Sequence, residues 1–406
     1  MKRHGCLWQE MISFASLLRA AHKASRGKRL LPGVASFHFD QERALWRLHE
    51  ELAEKTYRPG PYRSFTIYEP KQRQISAAPY RDRVVHHALT GVLEPIFERS
   101  FISDSYACRK GKGTHRAVDR AQEFAGRYRY VLKADIRKFF PSMDHEICKE
   151  LVARKIKDPD VRWLVGRVID GSNPQEPARE YFPGDTLFTP GERRRGIPIG
   201  NQTSQFLANV YLDPLDHFVK ERLGIKGYVR YVDDFLVFSD DKKHLASVCE
   251  RIAEFLVSLR LRLHPAKSVI FPASQGIRFL GYRVFPTHRL LAKENVVRFR
   301  RRLRALQGPY ATGDASFRDI RNRIASWEGH ARQADTWLLR CRLFDTIVLQ
   351  RAAIDKRGPR CSGVPPVPSP AESRRGPKGP PVRALAALTA ASQAAGRHLV
   401  PSLPAV

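Results

Sequence analysis

Two adjacent aspartates, Asp233 and Asp234, separate two β-rich runs of the sequence. Segment 228–239 reads YVRYVDDFLVFS, which predicts two strands joined by a tight connection at the aspartate pair. Neighbouring carboxylates repel each other, so placing them at such a connection costs free energy. Aspartate is also common in ordinary solvated turns, however, and motifs this short recur by chance. The pattern therefore predicts a hairpin and leaves the role of its carboxylates open.

A third carboxylate, Asp135, lies near the end of another β-like run, Tyr130–Ile136. If that strand lies beside the hairpin, three carboxylates converge at one edge of a sheet. Such crowding is tolerated when divalent cations offset the charge. Oxygen ligands with few His or Cys nearby suit Mg²⁺ or Mn²⁺ rather than zinc. Two such ions about 3.5–4 Å apart form a clamp for in-line phosphoryl transfer, so the carboxylates predict a two-metal site.

The charge of the chain predicts a polyanionic partner. Lys and Arg number 71 against 41 Asp and Glu, which gives a formal net charge of +30. Nucleic acid is the leading candidate, because neutralising phosphates releases condensed counterions; an anionic membrane is the alternative. The sequence has no run of about 18 uninterrupted apolar residues and no signal-peptide core behind its basic start. Its six cysteines form no C-x-x-C pair. A cytoplasmic protein with free thiols and no membrane association is therefore expected.

Apolar spacing predicts helices downstream of the hairpin. One is predicted over Asp240–Leu261 with Asp241 as its N-cap, and another over Asn295–Gln307, ended by Gly308 and Pro309. From residue 356 the chain is crowded with Pro, Ala, Ser and Arg. This composition offers little apolar surface to bury and predicts a disordered tail.

Five blocks in order resemble those of the reverse transcriptases. They are D-x-x-x-x-F from Asp135, G-x-P-x-G-N-x-x-S-Q from Gly196, Y-V-D-D from Tyr231, a lysine at position 267, and F-L-G-Y from Phe279. A Y-x-D-D box alone is weak evidence, whereas five ordered blocks are specific. The resemblance covers residues 73–327. It implies DNA synthesis on an RNA template with a DNA or RNA primer, deoxynucleoside triphosphates and two Mg²⁺ (or Mn²⁺) ions.

The resemblance also implies an α+β right-hand polymerase fold of fingers, palm and thumb. The palm is expected to be an antiparallel sheet and the thumb helical. The expected division is an N-terminal extension over 1–60, fingers over 61–195 with the first palm strand near 130–140, a palm over 196–285, a helical thumb over 286–355, and a disordered Pro/Ala/Arg-rich tail over 356–406.

By resemblance, Asp135 and Asp233 hold both metals and Asp234 supports the site, so that these three residues are catalytic. Ile136, which follows Asp135, is included among the metal contacts. The residues expected to bind the nucleotide substrate are Arg73, Phe140, Ile199, Gly200, Gln205 and Lys267.

Three of these substrate residues have a stated physical role. The ring of Phe140 would lie under the sugar and leave no room for a 2′-hydroxyl, while the preceding Phe139 would point to the other face if the stretch is extended. Lys267 could protonate the leaving pyrophosphate, and the guanidinium of Arg73 matches phosphate oxygens. Core packing for Phe140 and solvated surface charge for Arg73 remain the alternatives.

Nucleic-acid contacts are expected on a basic Gly-punctuated loop, at the Y-V-D-D box, at the F-L-G-Y block and on the basic helix of the thumb. A solvated amphipathic face is the alternative for that helix. The residues in this group are Arg109, Lys110, Lys112, Tyr231, Gly281, Tyr282, Arg298 and Arg302.

One block resembles a particular branch of the family, that of the diversity-generating retroelements. Many reverse transcriptases have Gln-Gly and Ser-Pro where this chain has Ile199-Gly200 and Ser204-Gln205. In that branch, copying of template adenines is error-prone in mutagenic retrohoming. An apolar Ile199 cannot make the polar contact to the nascent pair that Gln would make. The branch implies a retroelement template RNA and a small basic oligomeric accessory protein.

Other readings stay open beside this one. A phage-defence or otherwise unclassified bacterial reverse transcriptase would share the catalytic blocks. Retron and group II intron enzymes are less favoured, because the thumb lacks Val-Thr-Gly and a long maturase domain has no room before the tail. A catalytically silent RNA-binding protein with this fold is the alternative from another class.

Overall fold

The computed structural model describes residues 3–68, 72–172, 180–345 and 348–351. The chain divides into two compact units, the first comprising Met1–Leu280 and Val284–Thr287 and the second Gly281–Arg283 and His288–Val406. The boundary lies close to residue 286, where the sequence predicts the start of the thumb. The predicted tail lies outside the described residues.

The first unit mixes helices and strands along its whole length. Its helices are α1 (Trp8–Ile12), α2 (Phe14–Ser25), α3 (Pro32–Phe39), α4 (Gln41–Ala53), α5 (Tyr80–Glu98), α6 (Thr114–Arg127), α7 (Phe139–Ser142), α8 (His145–Ala153), α9 (Pro159–Asp170), α10 (Thr189–Glu192), α11 (Gln202–His217) and α12 (Lys242–Ser258). Its strands are β1 (Arg63–Ile67), β2 (Arg73–Ala77), β3 (Tyr130–Asp135), β4 (Tyr228–Tyr231), β5 (Asp234–Ser239), β6 (Val269–Pro272) and β7 (Ile277–Phe279). A π-helical segment, Phe218–Arg222, continues α11, and a 3₁₀ turn, Ala273–Gln275, follows β6.

A four-stranded antiparallel sheet forms the centre of the first unit, with strand order β4-β5-β3-β6. β3 and β5 are rich in apolar residues, and most of these are buried, Val131 and Leu132 on β3 among them. An apolar run of this length is typical of a central strand. The predicted hairpin is present as β4 and β5. The α+β class and an antiparallel sheet thus agree with the sequence-based expectation.

The long helix after the hairpin follows its predicted pattern. Asp241 caps α12 by accepting a hydrogen bond from the Lys243 N–H at 2.7 Å. Leu245, Val248 and Ile252 recur at helical spacing and are buried. This buried face packs against the central sheet and fixes one of its sides.

N-terminal helices cover α5, and a separate hairpin precedes it. α2 packs on both α4 and α5, with Leu17, Leu45 and Leu48 in the shared core. β1 and β2 pair antiparallel from Arg63 opposite Ala77 to Ile67 opposite Arg73. None of the helices in the described ranges has both the length and the apolar character required to cross a bilayer.

The second unit is helical. Strand β8 (Tyr282–Val284) lies at the boundary, and the second unit contains β9 (Arg289–Leu291), α13 (Lys293–Ala305), α14 (Gln307–Thr312), α15 (Phe317–Ala331) and α16 (Trp337–Asp345). Phe299 and Leu303 of α13 and Ile320 of α15 pack with α16 in a small core.

The expected end of the basic helix at Gly308 and Pro309 is wrong. α13 ends at Ala305, but α14 begins at Gln307 and contains both residues. Pro309 lies in the first turn of α14, where no backbone N–H is needed for an intrahelical bond. The helical path ends instead at Gly313, whose φ is +92°.

Candidate active site

The sheet register brings the predicted carboxylates together. Asp135, the last residue of β3, lies directly opposite Asp234, the first residue of β5. The Ile136 N–H donates to the Asp233 carbonyl oxygen at 3.2 Å, which holds the third aspartate at the same edge. Asp135 and the adjacent pair Asp233 and Asp234, which are distant in sequence, therefore share one end of the central sheet. We call Asp135, Asp233 and Asp234 the acidic edge.

Burial and like charge act together on Asp234. Burial raises its pKa to about 7, Lys133 opposes this shift, and the neighbouring Asp135 and Asp233 add to it. The Lys133 Nζ lies 3.8 Å from Asp234 Oδ2. The other oxygen, Oδ1, is buried and has no hydrogen-bond partner among the described residues. This carboxylate is thus under-compensated within the protein.

Lys267 lies directly on the acidic edge. Its Nζ is 2.5 Å from Asp135 Oδ2, although 45% of the lysine side chain is exposed. The loop carrying it is tied to the end of β3, because the His264 N–H donates to the Asp135 carbonyl at 2.7 Å. The Lys267 ammonium is therefore held beside the carboxylate expected to bind metal.

The donor set at the acidic edge suits hard divalent cations. All three side chains offer carboxylate oxygens, the preferred ligands of Mg²⁺ and Mn²⁺, and Asp234 Oδ1 is buried without a partner. Across the described ranges, no group of three His, Cys, Asp or Glu side chains already stands in metal-ligating geometry. The residues that would hold the ions fit them by chemistry and position, with Lys267 as a competing cation on Asp135.

The loop with Ile199 and Gly200, which are expected to contact the nucleotide, is hydrogen-bonded to the segment that follows Asp135. The Ile197 N–H donates to the Phe140 carbonyl at 3.0 Å, and the Ile199 carbonyl accepts from the Ser76 N–H at 3.3 Å. Gly200 has a φ of +115°, and a Cβ there would lie 3.1 Å from Ile75 Cγ2. A glycine is required at this position for both reasons. Gln205 is exposed in the first turn of α11.

The two phenylalanines after Asp135 differ in burial, but not because the stretch is extended. Lys138 has a left-handed φ of +45°, and Phe139–Ser142 form the short helix α7. Phe139 is buried against Tyr211, whereas Phe140 is half-buried with its ring centre 5.3 Å from that of Phe139. The assumption of an extended stretch is therefore wrong, while the inward position of Phe139 agrees with the expectation of a core residue.

Arg73 has a defined backbone and no described side chain. It opens β2, opposite Ile67, and its guanidinium lies outside what the structure describes. Its proposed contact with the triphosphate stays a prediction.

The basic loop, residues 106–115, uses its arginine internally. The Arg109 Nη2 lies 2.7 Å from Glu98 Oε1, and Nη1 donates to the carbonyls of Ile102 and Ser105 at 2.5 and 2.9 Å. Only 5% of the arginine side chain is exposed. In the structure Arg109 therefore fixes this loop to the end of α5, and its expected contact with nucleic acid stays a prediction.

The other predicted contacts near this loop are more accessible. Lys110 is exposed, and Lys112 is half-buried with its Nζ donating to the Ser103 carbonyl at 2.7 Å. The Tyr231 hydroxyl lies 3.1 Å from Thr114 Oγ1. The loop thus lies next to the strand that leads into the acidic edge.

In the second unit, the predicted primer contacts are engaged within the fold. Tyr282 is buried, and its hydroxyl lies 2.7 Å from His330 Nδ1 and 2.8 Å from the His330 carbonyl. Gly281 has a φ of +89°, and its carbonyl accepts from Asn295 Nδ2 at 3.1 Å. A Cβ at Gly281 would lie 2.8 Å from that nitrogen. Within the second unit, Asn295 thus makes a close approach that requires glycine at position 281.

Arg298 and Arg302 line a cavity between α13 and α15. The cavity has a volume of about 860 Å³, and Phe299 and Trp327 stack at its apolar wall with ring centres 4.1 Å apart. Segment 326–330 supplies this Trp327 and the His330 that lies against Tyr282. Its role within the second unit is packing.

Sequence reasoning missed two groups near the acidic edge. Lys133 lies two residues before Asp135, so the period of a strand places both side chains on one face; this signal was available. Arg230 and Asp216 form a buried ion pair behind the hairpin. Their sequence signal is weak, a lone arginine within an apolar strand and one of two aspartates near the end of a largely apolar helix.

The chain is similar in sequence to a known protein family and to several known proteins. The family model described as reverse transcriptase (RNA-dependent DNA polymerase) matches residues 66–284, more than half of the chain. Protein YkfC of Escherichia coli is 27% identical over 281 residues, covering 58% of this chain and 70% of that protein. The group II intron-encoded protein LtrA of Lactococcus lactis is 23% identical over 330 residues, covering 65% of this chain. The chain spans 53% of that intron-encoded relative.

Proposed function

The chain belongs to the reverse transcriptase family and is therefore an RNA-directed DNA polymerase, and we propose that the acidic edge is its catalytic centre. The observation that carries this proposal is the pairing of Asp135 with Asp234 across neighbouring strands, with Asp233 beside them. Family membership implies the polymerase fold and divalent cations. We assign fingers, palm and thumb as predicted from the sequence, with the central sheet as the palm.

The reaction joins a primer 3′-oxygen to the α-phosphorus of a deoxynucleoside triphosphate. The bond from that phosphorus to the bridging oxygen breaks, and pyrophosphate leaves. Asp135, Asp233 and Asp234 would hold two Mg²⁺ ions, and Ile136 would adjoin them. Such ions would lower the pKa of the attacking hydroxyl and stabilise the leaving oxygen. The primer hydroxyl gives up its proton, and the pyrophosphate gains one.

Lys267 is the group that would deliver this second proton. Its side chain is 45% exposed, and in this proposal Nζ leaves Asp135 to reach the pyrophosphate. An ammonium beside the acidic edge also stabilises the charge that develops on the leaving phosphate. In this reading, the ion pair with Asp135 is the resting position of a catalytic acid.

Phe140, Ile199, Gly200 and Gln205 are proposed to surround the incoming nucleotide. Phe140 is half-buried, so part of its side chain remains accessible to a deoxyribose. Ile199 is held by its backbone to β2, which leaves its apolar side chain as the distinctive feature of the loop. Arg73 would bind the triphosphate.

We place the enzyme among the diversity-generating retroelements, copying a retroelement RNA with errors at adenines. The support is the Ile199-Gly200-Asn201 and Ser204-Gln205 version of the substrate loop. A small basic oligomeric accessory protein and a cytoplasmic location belong to the same proposal. Ile199→Gln tests it: misincorporation opposite template adenine should fall, while misincorporation opposite the other bases stays the same. Unchanged fidelity would remove Ile199 from this account.

A second candidate is an intron-encoded reverse transcriptase. It is supported by relatives whose names identify them as intron proteins, LtrA and a putative COX1/OXI3 intron 1 protein of Saccharomyces cerevisiae, which is 21% identical over 366 residues, 74% of this chain and 42% of that protein. A phage-defence enzyme remains the alternative within the family. The RNA that copurifies with the protein separates them, since it would be a retroelement template, an intron or neither.

Primer extension tests the catalytic assignment. Purified protein is given a primed poly-A RNA, thymidine triphosphate and Mg²⁺, and Asp233→Ala is compared with Glu254→Ala, which removes an exposed carboxylate on α12. We expect incorporation by wild type and by Glu254→Ala, and loss of it in Asp233→Ala. Equal incorporation by all three proteins would exclude the acidic edge as the catalytic centre. Absence of incorporation by wild type would favour a silent RNA-binding role.

A further inference from the structure

Behind the acidic edge lies an ion pair with no contact with solvent. Arg230 on β4 and Asp216 on α11 are both 0% exposed at the side chain. They pair through two parallel hydrogen bonds, from Nε to Oδ1 at 2.7 Å and from Nη2 to Oδ2 at 2.6 Å. Tyr228 also donates to Asp216 Oδ1 at 2.9 Å. Burying two charges is costly even when they are paired, so the site requires an explanation beyond general stability.

Every N–H donor of the Arg230 guanidinium has an acceptor, and one of these hydrogen bonds reaches the turn between β4 and β5, which we call the catalytic turn. Its remaining N–H groups point to the Val232 carbonyl at 3.0 Å, Asn209 Oδ1 at 3.4 Å and Ser105 Oγ at 3.1 Å. With the two bonds to Asp216, each of the five N–H donors has an acceptor. Val232 is the residue immediately before Asp233.

The turn that receives this bond is strained. Val232 has a φ of +58°, a left-handed conformation that a β-branched residue rarely adopts. Such a conformation persists only when its surroundings hold it. Backbone bonds fix the arginine itself, since the Arg230 N–H donates to the Asp104 carbonyl and its own carbonyl accepts from Tyr106 N–H, both at 3.0 Å. The guanidinium is thus a rigid brace under the connection carrying Asp233 and Asp234.

We propose that Arg230 and Asp216 are positioning residues for polymerisation. Asp216 orients the guanidinium, and the guanidinium holds the Val232 carbonyl so that the next two carboxylates keep the geometry the reaction needs. This inference rests on the proposed catalytic role of the acidic edge. Neither residue touches substrate, so the effect is on the catalytic step rather than on binding.

A merely structural pair would behave differently when replaced by apolar residues. Exchanging a buried ion pair for hydrophobic side chains of similar volume is often neutral or stabilising. It would, however, leave the Val232 carbonyl without its donor and the strained turn without its brace. Stability and catalysis should therefore separate in the double variant Arg230→Met/Asp216→Leu.

The control is a second buried pair anchored on the same helix. Lys155 and Asp213 lie 3.2 Å apart with side-chain exposures of 8% and 11%, and Lys155 also bonds Ser100 rather than the catalytic turn. Lys155→Met/Asp213→Leu makes the same type of exchange away from the acidic edge. Its kcat should remain that of wild type.

The test measures thermal unfolding, primer–template affinity, and kcat and KM for the nucleotide. In Arg230→Met/Asp216→Leu we expect kcat to fall about 100-fold, the scale of a small misplacement of reacting groups. KM and primer–template affinity should stay within about twofold, because no binding group is removed. A folded double variant with wild-type kcat would overturn the proposal, and so would an equal loss of kcat in the control.

Arg230→Lys keeps the inference testable if the double variant does not fold. Lysine retains the charge beside Asp216 but lacks the planar fork that reaches Val232, Asn209 and Ser105 together. At a temperature where its circular dichroism is native, kcat should be lower with KM unchanged; a wild-type kcat would refute the brace. Wild-type protein inert in primer extension would instead refute the proposed function itself.

Discussion

The acidic edge and the basic loop look equally functional in the sequence, and the structure treats them in opposite ways. At the acidic edge, Asp234 is half-buried with a raised pKa, and its buried Oδ1 has no hydrogen-bond partner among the described residues. In the basic loop, Arg109 is bound to a carboxylate and two backbone carbonyls and is almost inaccessible. The carboxylate of Asp234 thus lacks full compensation by protein groups, whereas the guanidinium of Arg109 is paired within the protein.

This difference distinguishes residues with a chemical function from residues that stabilise the fold. A fold gains nothing in stability from crowding carboxylates, so their presence indicates a ligand or a reaction. An arginine whose donors all find protein acceptors stabilises the loop that carries it. Motif membership does not distinguish the two cases; the completeness of a side chain's partners does.

The largest expected effect is at the acidic edge, where activity and stability should change in opposite directions. Asp234→Asn should lower primer extension about 10³-fold, on the scale of losing a group that stabilises transition-state charge. The folded-state pKa of about 7 lies above the ordinary value of 3.8, so the charged carboxylate destabilises the fold at pH 8. Asn removes that charge, and the unfolding temperature in chelator should rise, by roughly 2–4 °C for each kcal/mol.

Glu254→Gln is the control for this pair of measurements, because it neutralises an exposed carboxylate on α12. It should change neither activity nor unfolding temperature. An Asp234→Asn protein that is less stable than wild type at pH 8 would contradict the view that the carboxylate is under-compensated.

Replacing Arg109 should have the reverse effect, lowering stability while leaving template binding unchanged. Arg109→Met removes the donors of two backbone carbonyls and the partner of Glu98, so the free energy of unfolding should fall by about 2 kcal/mol. The partial exposure of Glu98 keeps the loss below that of a fully buried pair. Template affinity, measured at a temperature where the variant is folded, should keep its wild-type salt dependence. A lower salt slope would show that Arg109 binds phosphate after all.

The acidic edge was predictable because its determinants are local. An apolar strand ending at Asp135 and a hairpin at Asp233 leave few ways to pair, and antiparallel pairing of β3 with β5 places Asp135 opposite Asp234. The helix after the hairpin was predictable for the same reason, since Asp241 caps it and its apolar spacing is regular.

What could not be predicted depends on contacts distant in sequence. Arg109 resembles a phosphate ligand until Glu98 is known to lie beside it. Gly281 indicates a close approach, but only the fold shows that Asn295 makes it. The pair of Arg230 with Asp216 lies within two apolar elements, and no pattern in either one indicates that they meet.

A polar side chain that lacks a hydrogen-bond partner but is closed off from solvent should have no role in substrate binding or catalysis. His86 allows this expectation to be tested. It lies within α5, is buried, and its Nδ1 has no partner in the described residues. Burial, His87 and Arg83 together lower its pKa from 6.5 to about 3. The unfolded chain therefore binds a proton that the folded chain refuses, and stability present above pH 6.5 is lost as the pH falls towards 3.

His86→Leu should remove this loss. At pH 5 the variant should gain about 2 kcal/mol relative to wild type, at about 1.4 kcal/mol for each pH unit below 6.5. Denaturant unfolding at pH 5 and pH 8 measures the difference, and primer extension at pH 8 should be that of wild type. Loss of activity in a stable His86→Leu protein would mean that burial alone does not exclude a functional role.

The smallest effect is expected at Lys110, the exposed cation next to Arg109 in the basic loop. If the loop follows a nucleic-acid backbone, Lys110→Ala should weaken template binding equally for all sequences. It should also lower the slope of log affinity against log salt by about one, because one fewer counterion is released. Unfolding temperature should not change, in contrast to Arg109→Met. Affinity titrations at several salt concentrations measure the slope, and an unchanged slope in Lys110→Ala would make the whole loop a structural element rather than an interface.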